Sequence, residues 1–255
     1  MPPDSHNRPP VTAPDWQAPK SHRSPRVSHR STAPTGRGRA CRVPDCDLTI
    51  STNHGIFCNR HQMAYRRHGD PLQTGLEVAE LAPFVRTVRR VIDRNKDRVS
   101  WPAIFARWDE AVGVCHAIEA EARAGKTYIR WRRQAAALIA EIAENVEASR
   151  VFELVAAVYL YAEIRPERFA SDAGFNAEVL HVVRREAKAG RLFTVGAKSS
   201  ISYRLLSGRV STTAARFIID ALGNVSLAAA RAETKRLKAL EVKATEQRQA
   251  IAAIE

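Results

Sequence analysis

The chain has 255 residues, 45% of them hydrophobic, which is enough for a small module beside one medium-sized folded domain. Its formal net charge of +13, with arginine outweighing lysine, favours polyanions as partners, DNA or RNA ahead of an acidic lipid surface. Four cysteines, three of them clustered near the N-terminus, exclude the disulfide framework of a large secreted protein. No apolar stretch is long enough to span a bilayer and no hydrophobic signal region follows a charged start, so a soluble protein in a reducing compartment is expected, with no membrane partner.

Residues 1–39 are rich in Pro, Ser, Thr and Arg and poor in apolar side chains that could repay ordering, so they read as a disordered basic arm. Lys20, Arg23, Arg26, Arg30, Arg37 and Arg39 fit an arm that follows a phosphate backbone. A plain soluble tail, or an arm that docks on another subunit, fits as well.

Residues 40–71 carry the most specific chemistry in the chain. The spacing is Cys41-x4-Cys46-x11-Cys58-x2-His61. Thiolates and imidazole suit zinc, which takes four tetrahedral N/S ligands in structural sites. Pro44 and Asp45 tighten the first pair, Gly55 bends the chain before the second, and Cys58 and His61 fall one turn apart at the start of a helix. A module with so little core needs a metal clip to fold. Four protein ligands make the site closed and structural, without a metal-bound nucleophilic water. His54 is a competing ligand that stands in the connection. The basic run Tyr65-Arg66-Arg67-His68-Gly69-Asp70-Pro71 follows at once, with His68 at a helix end or facing phosphate.

This stretch resembles the small treble-clef-like zinc modules of phage and mobile-element proteins, which often stand beside HNH nuclease domains. The resemblance covers about 30 residues and rests on Cys41, Cys46, Cys58, His61 and Arg66-Arg67-His68-Gly69-Asp70-Pro71. It implies that the four ligands hold a structural Zn2+, that Arg60, Arg66 and Arg67 are phosphate contacts, and that the protein works in the cytoplasm of a bacterial or phage-infected cell. The catalytic histidine and metal-binding partners of an HNH centre have no counterpart. After His68 only His116 and His181 remain, both in helical patterns.

The rest of the chain predicts a mainly α fold. A helical domain over 77–164 opens with a helix at 77–95, whose apolar face is Val78, Leu81, Val85, Val88 and Ile92, with Pro83 shortening or bending its start. A second helix runs from Ser100, read as its cap, to about Ala124, where Gly125 stops it. Cys115 within it reads as a small buried apolar residue. A third covers 127–148 with a basic start at Arg130, Arg132 and Arg133, and 150–163 is a central buried helix.

A helical region over 165–222 follows Pro166. It begins with a helix at 174–189 that turns Val179, Leu180, Val182 and Val183 inward and Arg184, Arg185 and Lys188 outward. Strand candidates Leu192–Val195 and Ile201–Leu205, joined by a basic loop 196–200 that includes Lys198, complete a winged-helix outline near 174–205. An ordinary hairpin on helices fits the same pattern. Thr212–Leu222 reads as one more helix, and after Gly223-Asn224 a long terminal helix occupies 226–255.

Ala124-Gly125-Lys126-Thr127 lacks the spacing of a phosphate-binding loop. Dispersed tyrosines and helical glutamates give no nucleophile with a positioned base. The leading expectation is therefore a non-enzymatic nucleic-acid-binding protein, with DNA as the first candidate. Its contacts are Arg60, Arg66, Arg67, His68, Arg184, Arg185, Lys188 and Lys198. The alternatives are a structural or adaptor subunit of a nucleoprotein or phage assembly, oligomeric through the terminal helix, and a nuclease or recombinase subunit.

Overall fold

The computed structural model describes residues 39–50, 55–188, 191–195, 198–202 and 205–252. Apart from Arg39, the basic arm lies outside the described residues, as does His54. The molecule is mainly helical, in the order α1 (Asn59–His68), α2 (Val78–Arg94), α3 (Ser100–Arg123), α4 (Arg130–Asn145), α5 (Ala148–Ile164), a short 3-10 turn (Pro166–Arg168), α6 (Asp172–Glu186), strands β1 (Arg191–Val195) and β2 (Lys198–Ser202), and α7 (Gly208–Ala252). Gly38–Arg236 forms one compact unit.

The core of that unit is built around α5. Its run of Val151, Phe152, Leu154, Val155, Val158 and Leu160 is buried on every side, so the helix needs neighbours all round. It finds them in α2, α3 and α6. Helices α3 and α4 pack as a pair, with Trp108, Cys115 and Ile118 meeting the same core as Ile139 and Ile142. The first part of α7 adds Val210, Ala214, Ile218 and Leu222. Phe152 stands edge-on to Trp101 at 5.5 Å between ring centres, which gives the middle of the core an aromatic geometry beyond plain burial. Cys115 is fully buried, and burial pushes its thiol up to about 12, so it behaves as the small apolar residue its context predicts.

Local signals and outcome differ at several places. Val99, not Ser100, is the cap residue of α3, and no side chain caps that helix. Pro83 is accommodated inside α2 instead of shortening it. The helix start is fixed five residues earlier by a reciprocal capping box between Glu77 and Glu80. The two strands pair antiparallel with Leu192 opposite Ile201 and Val195 opposite Lys198. Only residues 196 and 197 are left between them, so Lys198 is a strand residue and not part of a loop.

The predicted break at Gly223-Asn224 does not occur, and α7 is continuous from Gly208 to Ala252. A Cβ on Gly223 would come within 2.8 Å of the Tyr159 hydroxyl oxygen of α5. The glycine leaves room for the Tyr159 hydroxyl and does not end the helix. From Leu237 onward α7 is a separate stretch that exposes Leu240, Val242 and Ile251 among charged residues. No helix among the described residues is long and apolar enough to cross a membrane.

Candidate metal centre

Two pieces of chain bring the ligands together. Residues 39–50 fold back on themselves through an Ala40–Thr49 bridge, with the Cys41 amide donating to the Leu48 carbonyl at 3.1 Å and the Ile50 amide to the Arg39 carbonyl at 2.9 Å. Asp45 takes a left-handed conformation (φ 57°), tolerated best by Gly, Asn and Asp, and this tightens the loop that carries Cys41 and Cys46. Cys58 is the residue at the N-terminal cap of α1, and His61 is the third residue of that helix. The helix itself buries no residue, so its own packing cannot hold it in place.

The four ligand atoms lie within 4.8 Å of one another. His61 Nδ1 is 3.4 Å from the sulfurs of both Cys41 and Cys58, and the Cys46 and Cys58 sulfurs are 3.9 Å apart. A tetrahedron with zinc-type bond lengths has sulfur–nitrogen edges of about 3.5 Å and sulfur–sulfur edges of about 3.8 Å. The donor set therefore fits a four-coordinate metal ion, and the sulfurs are too far apart for a disulfide.

The Cys58 amide donates to the Cys41 sulfur at 3.3 Å, an outer contact that supports a thiolate. Burial pushes the Cys41 thiol up, but the Cys58 and Val43 amides, His61 and Cys46 together outweigh it and bring it down to about 6. The Cys46 thiol is raised, by burial first and then by its two cysteine neighbours. Among the described residues of the module only Cys41, Val43 and Cys58 are buried, with Cys46 and Phe57 packed against them.

The signature that follows the ligands attaches the module to the helical body. His68 Nδ1 lies 2.7 Å from Glu178 Oε1, and Glu178 is only 1% exposed. The other carboxylate oxygen accepts from the Leu76 amide at 2.7 Å, and His181 stands 3.5 Å away on the next turn of α6. Burial pushes the Glu178 carboxyl up, yet His181, His68 and the Leu76 amide outweigh it and hold it at about 2. Gly69 ends α1 with φ 75°, and a Cβ there would meet the Ala173 carbonyl oxygen at 2.7 Å. Asp70 Oδ1 accepts from the Leu72 amide at 2.8 Å and closes the turn. Gln73, 2% exposed, receives the Ala170 amide at 2.9 Å.

The candidate contact residues divide accordingly. Arg60, Arg66 and Arg67 are exposed on α1 and form no ion pair among the described residues. His68 is half-buried against Glu178 and does not face outward. Arg184 is 7% exposed, against its predicted outward position, because α6 is an interior helix covered on most of its circumference. Arg185 donates to the Leu76 carbonyl at 2.9 Å and is likewise turned to the fold. Lys188 is exposed just past α6, at φ 50°, and Lys198 sits in β2. His116 is exposed on α3.

Comparison with known proteins gives no match to any family model, curated protein or solved structure. The resemblance to phage and mobile-element modules thus rests on the motif residues alone. Sequence reasoning missed Glu178, which no local pattern marks as the partner of a histidine 110 positions earlier. Arg209 and Arg216, exposed on α7, were not among the predicted contact residues. Their seven-residue spacing puts them on one face of α7 and was a readable signal.

Proposed function

We propose that the chain is a non-enzymatic nucleic-acid-binding protein of phage or mobile-element type, with a structural Zn2+ on Cys41, Cys46, Cys58 and His61. The observation that carries this reading is the pairing of a closed ligand set with α1, a helix that presents Arg60, Arg66 and Arg67 to solvent without carboxylate partners among the described residues. Metal coordination fixes the start of the helix and the His68–Glu178 contact fixes its end. The arginines then meet phosphates from a rigid support, and phosphate contacts give salt-dependent affinity.

A non-enzymatic role fits the chemistry of the clustered charges. The buried carboxylates Glu153 and Glu233 are each paired with arginines, and Glu178 with His68, in contacts that join helices. DNA is the first candidate. The test is binding of the intact, metal-loaded protein to duplex DNA, single-stranded DNA and RNA across a salt series, with the Arg66→Ala, Arg67→Ala double variant beside it. Affinity should fall about tenfold or more in the variant at moderate salt while bound zinc is retained. Equal affinity would reject the role of α1.

A second reading has one observation of its own. The far part of α7 exposes Leu240, Val242 and Ile251, which suits a helical partner or a second copy of the chain. An adaptor of that kind would assemble without nucleic acid and independently of salt, which light scattering would reveal.

A further inference from the structure

A cleft of about 1700 Å³ opens on the unit Gly38–Arg236, walled by the end of α1, by α4, by α6 and by the start of α7. Its lining includes Arg66, Arg130, Arg184, Arg209 and Arg216 against a single carboxylate, Glu141. Four of these arginines, all but the buried Arg184, are exposed and make no ion pair among the described residues. Elsewhere in the same unit, arginines at positions 89, 94, 150, 168, 231 and 236 are matched with glutamates. In the cleft four exposed arginines without an ion pair among the described residues face one carboxylate, and their summed field attracts and concentrates a polyanion.

The cleft is larger than the roughly 300–1,000 Å³ of small-molecule pockets, so a chain-like ligand suits it better than a single metabolite. Tyr65, 48% exposed, and the half-buried Trp131 share the lining with the arginines. Guanidinium groups interleaved with aromatic rings form a surface on which a single strand can lay its phosphates and stack its bases, whereas a duplex keeps its base faces covered. Gln134 and Asn176 add neutral hydrogen-bonding groups beside them.

We infer that this cleft binds single-stranded nucleic acid, its phosphates on Arg66, Arg130, Arg209 and Arg216 and a base on Tyr65 or Trp131. The inference deepens, and rests on, the nucleic-acid reading above, but it relies on residues of α4 and α7 that lie outside the zinc module.

The test uses the full, zinc-loaded chain and labelled oligothymidine, oligouridine and a duplex, each about 12 nucleotides or base pairs long to match single-strand site sizes. Fluorescence anisotropy over a salt series should show both single strands bound more tightly than the duplex, and their ratio separates DNA from RNA. The Arg130→Ala, Arg216→Ala double variant should lose about tenfold or more in single-strand affinity, and its salt slope should fall by about 1.4 for two lost contacts. Tyr65→Ala should lose about fivefold or more with little change in slope. All three side chains are exposed or partly so, and circular dichroism and bound zinc verify that the variants are folded. Unchanged single-strand binding in the double variant would overturn the cleft while leaving the nucleic-acid reading intact. Preference for the duplex would overturn the strand class, and no binding to any probe would overturn both.

Discussion

The module of residues 39–68 and the helical body behind it reach order by different routes. Among the described residues the module buries only Cys41, Val43 and Cys58, while α5 by itself buries ten side chains. Hydrophobic burial therefore stabilises the body directly, at roughly 25 cal/mol per Å² of apolar surface. The module has too little of it, and in the reading proposed above its order comes from coordination and from two anchoring contacts, His68 with Glu178 and Gly69 with Ala173. One region should be sensitive to metal and acid, the other to the loss of core volume.

The sharpest way to break the comparison is to remove the metal. Structural zinc contributes on the order of 10 kcal/mol or more to the folding of small modules, so a chelator should abolish slow amide exchange at Cys41, Arg42, Ile50 and Gln62, whose amides are bonded within the module. Amides of α5 should keep their protection. If the module stayed protected after complete metal removal, coordination would not be what holds it.

The converse experiment is Phe152→Ala. This side chain is 1% exposed at the centre of the core, and its truncation should cost about 3–5 kcal/mol of global stability. Zinc stoichiometry should be unchanged, by metal analysis of the folded variant. Loss of zinc from a folded protein would show that module and body are not separable in this way.

Acid should weaken the joint between them. The Glu178 carboxyl is held at about 2 against an ordinary 4.5, so its ionised form is favoured in the folded state. Its contribution, on the order of 3 kcal/mol, is present above about pH 4.5 and is lost as pH falls from there through about 2. In Glu178→Gln this part of the acid limb should disappear from a stability-versus-pH curve. An identical limb in the variant would place the acid sensitivity elsewhere.

The smallest effect is expected for Gly69→Ala, about 1–3 kcal/mol, because the residue has φ 75° and backbone lies 2.7 Å from the new methyl group. The loss should show as faster amide exchange at the end of α1 while the exchange of α5 is unaltered.

What could be read from the sequence follows the range of the forces involved. Ligand spacing is local, so the Cys41, Cys46, Cys58 and His61 set was legible, and so were the apolar side of α4 and the buried run of α5; in α2 Leu81 and Val88 are buried as expected, but Val78 is exposed and Phe84, buried, was missed. Burial of a charged residue is not local. Arg184 and Arg185 looked outward on their own helix, but α6 is surrounded. Gly223 looks like a helix end by local rules, but α7 runs through it and the space of its missing side chain is taken by the Tyr159 hydroxyl. His68-Gly69-Asp70-Pro71 was visible as a motif, but its meaning as an attachment point depended on Glu178, far along the chain.

That separation gives the chain an order of assembly. The four metal ligands are all translated before residue 62, whereas Glu178 emerges 110 residues after His68. At about 5–20 residues per second, the ribosome leaves an interval of roughly 5–20 s in which the nascent segment can capture its ion before the surface that receives it exists. On the metal-site reading, metallation can thus be complete before docking begins, and a chain starved of its ion would present α6 with an unstructured partner.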